Sequence, residues 1–580
     1  MGEPDMRGTS QTGRTGLLHL RALLLLGARQ RLLIVLALFV GVATIMLVRT
    51  AYLGFVGAAP GETTLTQALL PPRGEITDRN GAPLARTHPA YALSFNPQAM
   101  EDEGSPLVGE PAAVAAQLRA IFPDLKEKDI LAAFASKRRT YIRRRILPEE
   151  ANRVYELGEV ALEVPRERDR HYPQGALAAH ILGFVREGAN GSLVGRLGME
   201  EVLEERLSDP ARRAEPTALS IDLRVQGALE DELGRGMLAT DAKGAAGIVL
   251  DVDTGEVLAL ASLPQFDPNR PDAQSSPHVF NRATNGTYEL GSTFKPITMA
   301  AAIDAGLVRD LSAEWDAGPL AMSGRTFRDY KPKGKTLNIA EALAYSSNVV
   351  TMRIADALGP ERLRPVLMDL GMNARAEIEL PARGKPQWPA MGSRGEWSRL
   401  TNMTVSYGHG IAVTPLHLAN AYAAIVNGGI YRPATLMKVE PGGIEPGRRV
   451  FKASTSSRMR QLLRMIAIYG TGRSADATGF RVGGKTGSAE KAVSGGYART
   501  ALISSFAAAF PMDKPRYVVV TVLDEPRGTI ASSYQRTAAW NAAPIAGRLI
   551  PRIGPMLGVR PDERRDVDIS DLAFLIEGRR

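Results

Sequence analysis

The longest unbroken apolar run in the chain is Leu32–Val48 (LLIVLALFVGVATIMLV), 17 residues without a charge. As a helix it measures about 25 Å, at the short end of what crosses a bilayer. It is apolar on every face, so it does not read as an amphipathic helix packed on a core. Arg49 follows and can snorkel, and Tyr52 suits the interface just beyond. The preceding segment carries Arg7, Arg14, Arg21, Arg29 and Arg31 against only Glu3 and Asp5. Positive flanks of this kind stay in the cytoplasm. The pattern predicts a cytoplasmic tail over 1–31, a transmembrane helix over 32–49 and an exported remainder. A cleaved signal peptide ending near Gly57-Ala58-Ala59 is the alternative; leader and run are both long for one.

A linker punctuated by Gly and Pro, Gly54 to Pro72, comes next. Mixed α/β patterning then extends to about residue 235, and 60–235 reads as one module. Its basic run, Lys137-Arg138-Arg139 and Arg143-Arg144-Arg145, reads as a solvated helix face; contact with lipid headgroups or an anionic polymer is the other reading. The region 240–553 is clearer. Ala246–Val252 and Glu256–Ser262 are apolar strands around Asp253-Thr254-Gly255, a hairpin signal. Helical patterns follow at Ile297–Ala305, Ile339–Leu358 and Pro415–Ile425. Strand patterns return at Arg481–Ser488, Ser504–Phe510 and Tyr517–Leu523. Two strands before the helices and three after predict one five-stranded antiparallel sheet, with a helical subdomain inserted between its second and third strands. The tail, 554–580, is polar apart from a short amphipathic piece, Ile569–Ile576. The fold class expected is therefore α+β and multidomain, behind a single N-terminal transmembrane helix.

Composition narrows the function. At 580 residues the chain has room for roughly two to four domains. Its 57 glycines and 38 prolines are too few for a collagen-like or low-complexity chain. It has no cysteine, which excludes disulfides, cysteine zinc sites and thiol catalysis, and which fits export into an oxidising compartment. The net charge of +9 admits a nucleic acid, a membrane surface or an anionic polymer as partner. For nucleic acid, charge is the only argument, and an exported body weakens it. His19, His88, His171, His180, His278, His409 and His417 form no metal-ligand pair of the HExxH kind and read as core or surface residues. No metal or other cofactor is expected.

Three short signals stand in order within the sheet-and-helix region: Ser292-Thr293-Phe294-Lys295 at the start of a helical pattern, Ser346-Ser347-Asn348 beside a helix, and Lys485-Thr486-Gly487-Ser488 on a strand. Serine needs a base within hydrogen-bond reach to act as a nucleophile. Residues i and i+3 share a helix face, so Lys295 can point at the Ser292 hydroxyl. Lysine serves as a base only when neutral, and its ordinary pKa is about 10.4. Burial and a second ammonium would lower it, and Lys485 is the candidate for that charge. The backbone N–H groups of Ser292 and Ser488 are the expected oxyanion donors. Ser346 can relay a proton to a leaving amine, and the Asn348 amide can hold a peptide backbone. Gly487 removes a side chain where substrate would approach. Ser94-Phe95-Asn96 and Ser488-Ala489-Glu490-Lys491 repeat two of these patterns outside the order or the helix context.

The trio resembles that of the penicillin-binding proteins and related β-lactamases. Arg73-Gly74-Glu75-Ile76-Thr77-Asp78-Arg79-Asn80-Gly81, Arg170-His171-Tyr172-Pro173 through His180-Ile181-Leu182-Gly183, and Gly195 through Glu200 are similar to the non-catalytic pedestal module of class B members, which β-lactamases lack. Tyr288–Gly291, Gly408–Pro415 and the run from Gly484 to Pro526 resemble the division-specific, FtsI-type branch. Ser488 stands where many members have threonine; the hydroxyl is kept. The resemblance implies an inner-membrane, single-pass D,D-transpeptidase with a periplasmic catalytic domain over 240–553. It implies that Ser292 attacks the D-Ala-D-Ala carbonyl of a peptidoglycan stem peptide at the division septum. Lys485, Thr486 and Ser488 then recognise the terminal carboxylate, and β-lactams acylate Ser292. The implied partners are a membrane-embedded glycan polymerase of the shape-elongation-division-sporulation class and divisome proteins. An elongation-specific transpeptidase, a D,D-carboxypeptidase or β-lactamase-type hydrolase, and a non-enzymatic β-lactam receptor or scaffold are the alternatives.

Overall fold

Tyr517–Asp524 is buried along its whole length, and its side chains alternate between two cores. Val518, Val520 and Val522 enter one apolar cluster, while Tyr517, Val519 and Leu523 enter another. Such a strand has helices on both faces, which is why it reads as a continuous apolar run. The computed structural model describes residues 33–34, 36–49, 73–99, 107–187, 193–270, 277–392, 395–493 and 496–577.

Five strands form the central sheet: β1 (Gly244–Asp251), β2 (Val257–Leu263), β3 (Gly483–Val493), β4 (Gly496–Phe510) and β5 (Tyr517–Asp524). Their spatial order is β2-β1-β5-β4-β3, and every pair is antiparallel. The helices that position the site are α1 (Leu223–Ala239), α2 (Lys295–Asp304), α3 (Ile339–Ala344), α4 (Asn348–Leu358), α5 (Pro415–Val426), α6 (Ala453–Tyr469) and α7 (Ala542–Met556). Helices α1 and α7 cover one face of the sheet, and α5 covers the other. The segment between β2 and β3 supplies α2 to α6, as the strand count along the chain predicts. β3 is an edge strand, so one side of its backbone is free to face a ligand.

The region before α1 forms a second sheet around the long strand Pro83–Phe95. Here the three motif stretches of the first module converge. Arg73 Nε and Arg170 Nε each donate to Glu200, at 2.8 and 2.7 Å, and all three side chains are buried. Removing either guanidinium from a buried carboxylate would leave an uncompensated buried charge, so these distant positions are fixed together. At the other end of the first motif, Arg79 reaches Glu256 at 3.4 Å and Asn80 donates to Asp222 at 3.1 Å.

The basic run is not a helix face. Thr140–Ile146 is a strand paired with Pro83–Phe95. Arg143 pairs with Asp124 at 2.6 Å and Arg145 with Asp169 at 2.6 Å, while Arg144 lies over the Tyr141 ring. Local carboxylates and a ring thus engage these side chains, and sheet pairing overrides their helix propensity.

Residues 1–70 form a separate unit. Its described residues, 33–34 and 36–49, are helical, with Leu36, Phe39, Ile45 and Leu47 exposed. Among the described residues no helix is long and apolar enough to cross a membrane. The expected span also includes residues 32 and 35, and the expected tail 1–31, which lie outside the described residues.

Candidate active site

Ser292 stands in a tight 3-10 turn, Gly291–Phe294, that runs directly into α2. Pro296 occupies the first turn of α2, where its missing N–H deprives no carbonyl of a partner. Gly291 has φ +58°, the left-handed region that lets the chain bend sharply before the serine. The turn lies against β3. A Cβ on Gly487 would sit 2.2 Å from the Leu290 carbonyl oxygen and 2.6 Å from Ser505 Oγ. The glycine therefore makes room for the protein's own backbone beside Ser292.

Lys295 and Lys485 are both fully buried. Lys295 Nζ donates to the Ser346 carbonyl at 2.5 Å and to Ser346 Oγ at 3.0 Å. Lys485 Nζ donates to the same Oγ at 2.9 Å and to the Thr486 carbonyl at 3.0 Å. One hydroxyl thus bridges two amines. Burial pushes Lys295 well below the ordinary lysine value; the neighbouring Lys485 ammonium lowers it further and the Asp329 carboxylate opposes. Burial alone brings Lys485 down to about 7. Two amines this easily deprotonated, joined through a hydroxyl, can accept and pass on a proton near neutral pH. Lys295 does not form the hydrogen bond to the Ser292 hydroxyl that its i+3 spacing on a helix predicts. Its hydrogen bonds go to Ser346, and the Ser292 hydroxyl has no hydrogen-bond partner among the described residues.

Ser346 owes its position to a break. The pattern Ile339–Leu358 reads as one helix, but the chain folds it as α3 and α4, with Ser346 between them at φ +61°. A serine held there carries strain of about 1–3 kcal/mol and needs support from its neighbours. Ser347 N–H donates to the Ala342 carbonyl at 2.8 Å, and Ser347 Oγ accepts from Val350 N–H at 3.1 Å. Asp329 completes the support. It accepts from Ser347 Oγ at 2.6 Å, Asn348 N–H at 2.6 Å and Val349 N–H at 3.0 Å. Sequence reasoning missed Asp329, which lies in a polar loop with no motif around it.

Asp329→Asn is expected to slow penicillin acylation about tenfold and to cost about 1–2 kcal/mol at the α4 N-terminus. Acylation kinetics and a melting curve check both. An unchanged acylation rate would mean that the loop does not hold Ser346.

Thr486 Oγ1 donates to Thr471 Oγ1 at 2.7 Å, and Ser488 Oγ accepts from Ala538 N–H at 3.0 Å. Thr471 was not read from the sequence either. Lys491 is turned away from Ser488 and donates to Asp524 at 2.8 Å and Glu525 at 2.9 Å. Burial works against its charge, but those two carboxylates raise its pKa. The other S-x-N pattern lies in the first module, where Asn96 donates to Glu163 at 2.7 Å. One expected bystander sits close by. The His409 ring stacks between those of Tyr407 and Tyr497, with Nδ1 2.9 Å from Glu289, three residues before Ser292.

Residues 245–550 match the penicillin binding protein transpeptidase domain, and residues 68–210 match the penicillin-binding protein dimerisation domain. The chain is 37% identical over 502 residues to the probable peptidoglycan D,D-transpeptidase FtsI of Caulobacter vibrioides, covering 84% of this chain and 82% of the relative. It is 30% identical over 510 residues to the peptidoglycan D,D-transpeptidase FtsI of Escherichia coli K12, covering 84% of each. The fold matches penicillin-binding protein 3 of Mycobacterium tuberculosis, solved with aztreonam, at a TM-score of 0.64 and 24% identity over 85% of this chain and 98% of the other. With both modules matched in sequence and joined in one fold around this serine–lysine centre, the chain belongs to the class B penicillin-binding proteins.

Proposed function

We propose that this protein is a peptidoglycan D,D-transpeptidase working through an acyl-enzyme on Ser292. The observation that carries the reading is the Lys295–Ser346–Lys485 bridge, two buried amines on one hydroxyl beside the serine turn. Ser292 Oγ attacks the carbonyl of the penultimate D-Ala of a stem peptide, and Lys295 takes its proton. The C–N bond breaks, and Ser346 passes a proton to the departing amine, so D-Ala leaves. An acceptor amine, of diaminopimelate in this reading, then forms a new amide bond to the acyl carbon. The ester C–O bond breaks and Ser292 Oγ regains its proton. The backbone N–H groups of Ser292 and Ser488 stabilise the oxyanion, which is worth roughly 10²–10³ in rate per donor. Asn348 holds the peptide backbone. Lys485, Thr486 and Ser488 hold the terminal carboxylate, and β-lactams acylate Ser292 in place of the stem. Product analysis tests this, using the protein with a glycan polymerase and a lipid-linked precursor. Cross-linked stems are expected; stems that are only trimmed would make the protein a hydrolase.

The same reading assigns a cytoplasmic tail to 1–31, a membrane anchor to 32–49, a pedestal to 60–235, the catalytic domain to 240–553 and a tail to 554–580. It places the catalytic domain in the periplasm and the protein at the septum, beside a membrane-embedded polymerase and divisome proteins. The likeness to FtsI-named relatives supports the division role. Depletion is expected to block septation while cells continue to elongate; rounded cells that still form septa would point to the elongation branch instead.

A further inference from the structure

A cavity of about 870 Å³ lies on the side of the sheet that carries α1 and α7, one hydrogen-bonded residue removed from Thr486 and Ser488. It is bounded by the ends of α1 and α7, the loop after α6, and residues 531–533 and 539–541. Two contacts tie it to the catalytic centre. Thr471 lines the cavity, and its Oγ1 accepts the hydrogen bond from Thr486. Ala538, whose N–H is bonded to Ser488 Oγ, immediately precedes the lining residues Ala539 and Trp540. Ser474 Oγ donates to the Ala539 carbonyl at 2.7 Å and joins the two walls.

The lining is cationic and contains no carboxylate. Arg235 is paired with Asp231 at 3.0 Å and Arg548 with Glu232 at 2.8 Å, both from α1. Arg473 forms no ion pair among the described residues and is exposed. Trp540, half exposed, offers an apolar wall. The volume is within the range of pockets that enclose a small-molecule ligand.

The chemistry of acyl transfer says what belongs there. An acceptor amine attacks the acyl carbon along the path by which the leaving amine departed, by microscopic reversibility. The leaving D-Ala has its carboxylate at Thr486 and Ser488 and ends there. An acceptor is longer, so the rest of it needs room next to those residues, and this cavity adjoins them through Thr471 and Ala538. We propose that this cavity is the acceptor subsite, which takes an anionic stem peptide bearing the free amine, with Arg473 pairing to one of its carboxylates and Trp540 covering its apolar part. The inference rests on the transpeptidase reading and adds where the second substrate binds.

The test uses the full chain, a depsipeptide donor that acylates Ser292, and two acceptors: a stem peptide with free carboxylates and the same peptide amidated. Arg473→Glu is expected to reduce transfer to the carboxylate acceptor about 10–100-fold, the usual effect of losing a charge-assisted hydrogen bond. Transfer to the amidated acceptor and acylation by penicillin, which needs no acceptor, are expected to change less than about twofold. Trp540→Ala is expected to weaken both acceptors. Unchanged transfer to the carboxylate acceptor in Arg473→Glu would overturn the subsite, as would equal loss with both acceptors or a parallel loss of penicillin acylation. A wild-type chain that acylates yet only hydrolyses removes the transpeptidase reading, and the subsite with it.

Discussion

Ser292→Ala and Lys295→Ala are each expected to abolish covalent labelling by a fluorescent penicillin, while Lys491→Ala labels as the wild type does. Both serine–lysine pairs in the catalytic region have the same spacing, so the pattern alone leaves two nucleophiles open. Geometry separates them. Lys295 is buried and lowered in pKa by that burial and by Lys485, so it can be neutral and basic. Lys491 is bonded to Asp524 and Glu525, which keep it protonated and unable to take a proton. An irregularity in the β3–β4 pairing also falls between Glu490 and Lys491, so Ser488 and Lys491 do not share one regular stretch of strand. Loss of a general base costs about 10²–10⁴-fold in rate, enough to remove the label in a short exposure. Peptide mapping of the labelled protein decides the matter: an adduct on Ser488, or undiminished labelling of Ser292→Ala, would sink the assignment.

Gly487→Ala is the second large effect expected. The substitution looks conservative, and a strand tolerates alanine. Here the new methyl would meet the Leu290 carbonyl, two residues before Ser292, at 2.2 Å. A backbone oxygen cannot rotate out of the way as a side chain can, so β3 and the serine turn must part. Overpacking of this kind costs about 1–3 kcal/mol, and a displacement of about 1 Å at a reacting group costs about 10²-fold in rate. The variant should fold, melt somewhat lower and acylate about a hundredfold more slowly. Stopped-flow acylation and thermal melting measure the two effects separately. Wild-type acylation by Gly487→Ala would mean that the contact does not set the position of Ser292.

The sheet was legible because β1, β2 and β5 are short and apolar and because β4 ends in an apolar stretch; β3 and β4 run longer than their apolar patterns, to 11 and 15 residues. The stretch Tyr517–Leu523 is buried on both faces, and that leaves a run of valines no other element would carry. The positions of Ser292, Lys295, Ser346 and Lys485 were legible for a related reason, since each belongs to a short local pattern. Their contacts were not. Lys295 is three residues from Ser292 on what reads as a helix face, yet it bonds to Ser346, because the serine lies in a 3-10 turn ahead of α2. Apolar spacing runs through Ile339–Leu358 without showing the break that puts Ser346 at positive φ; the Ala342 carbonyl within the segment and the Asp329 carboxylate from outside it hold that break. The basic run failed for the opposite reason. Its arginines suit a helix face, and only pairing with Pro83–Phe95 makes them a strand.

Sequence by itself thus determined the strands of the central sheet, their order along the chain and the short motifs from which the candidate site is built, because apolar period and short motifs are local properties. Tertiary structure alone decided that two lysines far apart in the chain share one buried hydroxyl, that Gly487 yields space to Leu290, and that Arg73, Arg170 and Glu200 meet in one cluster. Each of these depends on burial and on distances between segments remote in sequence. The charge state of a lysine and the room beside a glycine follow from what surrounds them in the folded chain.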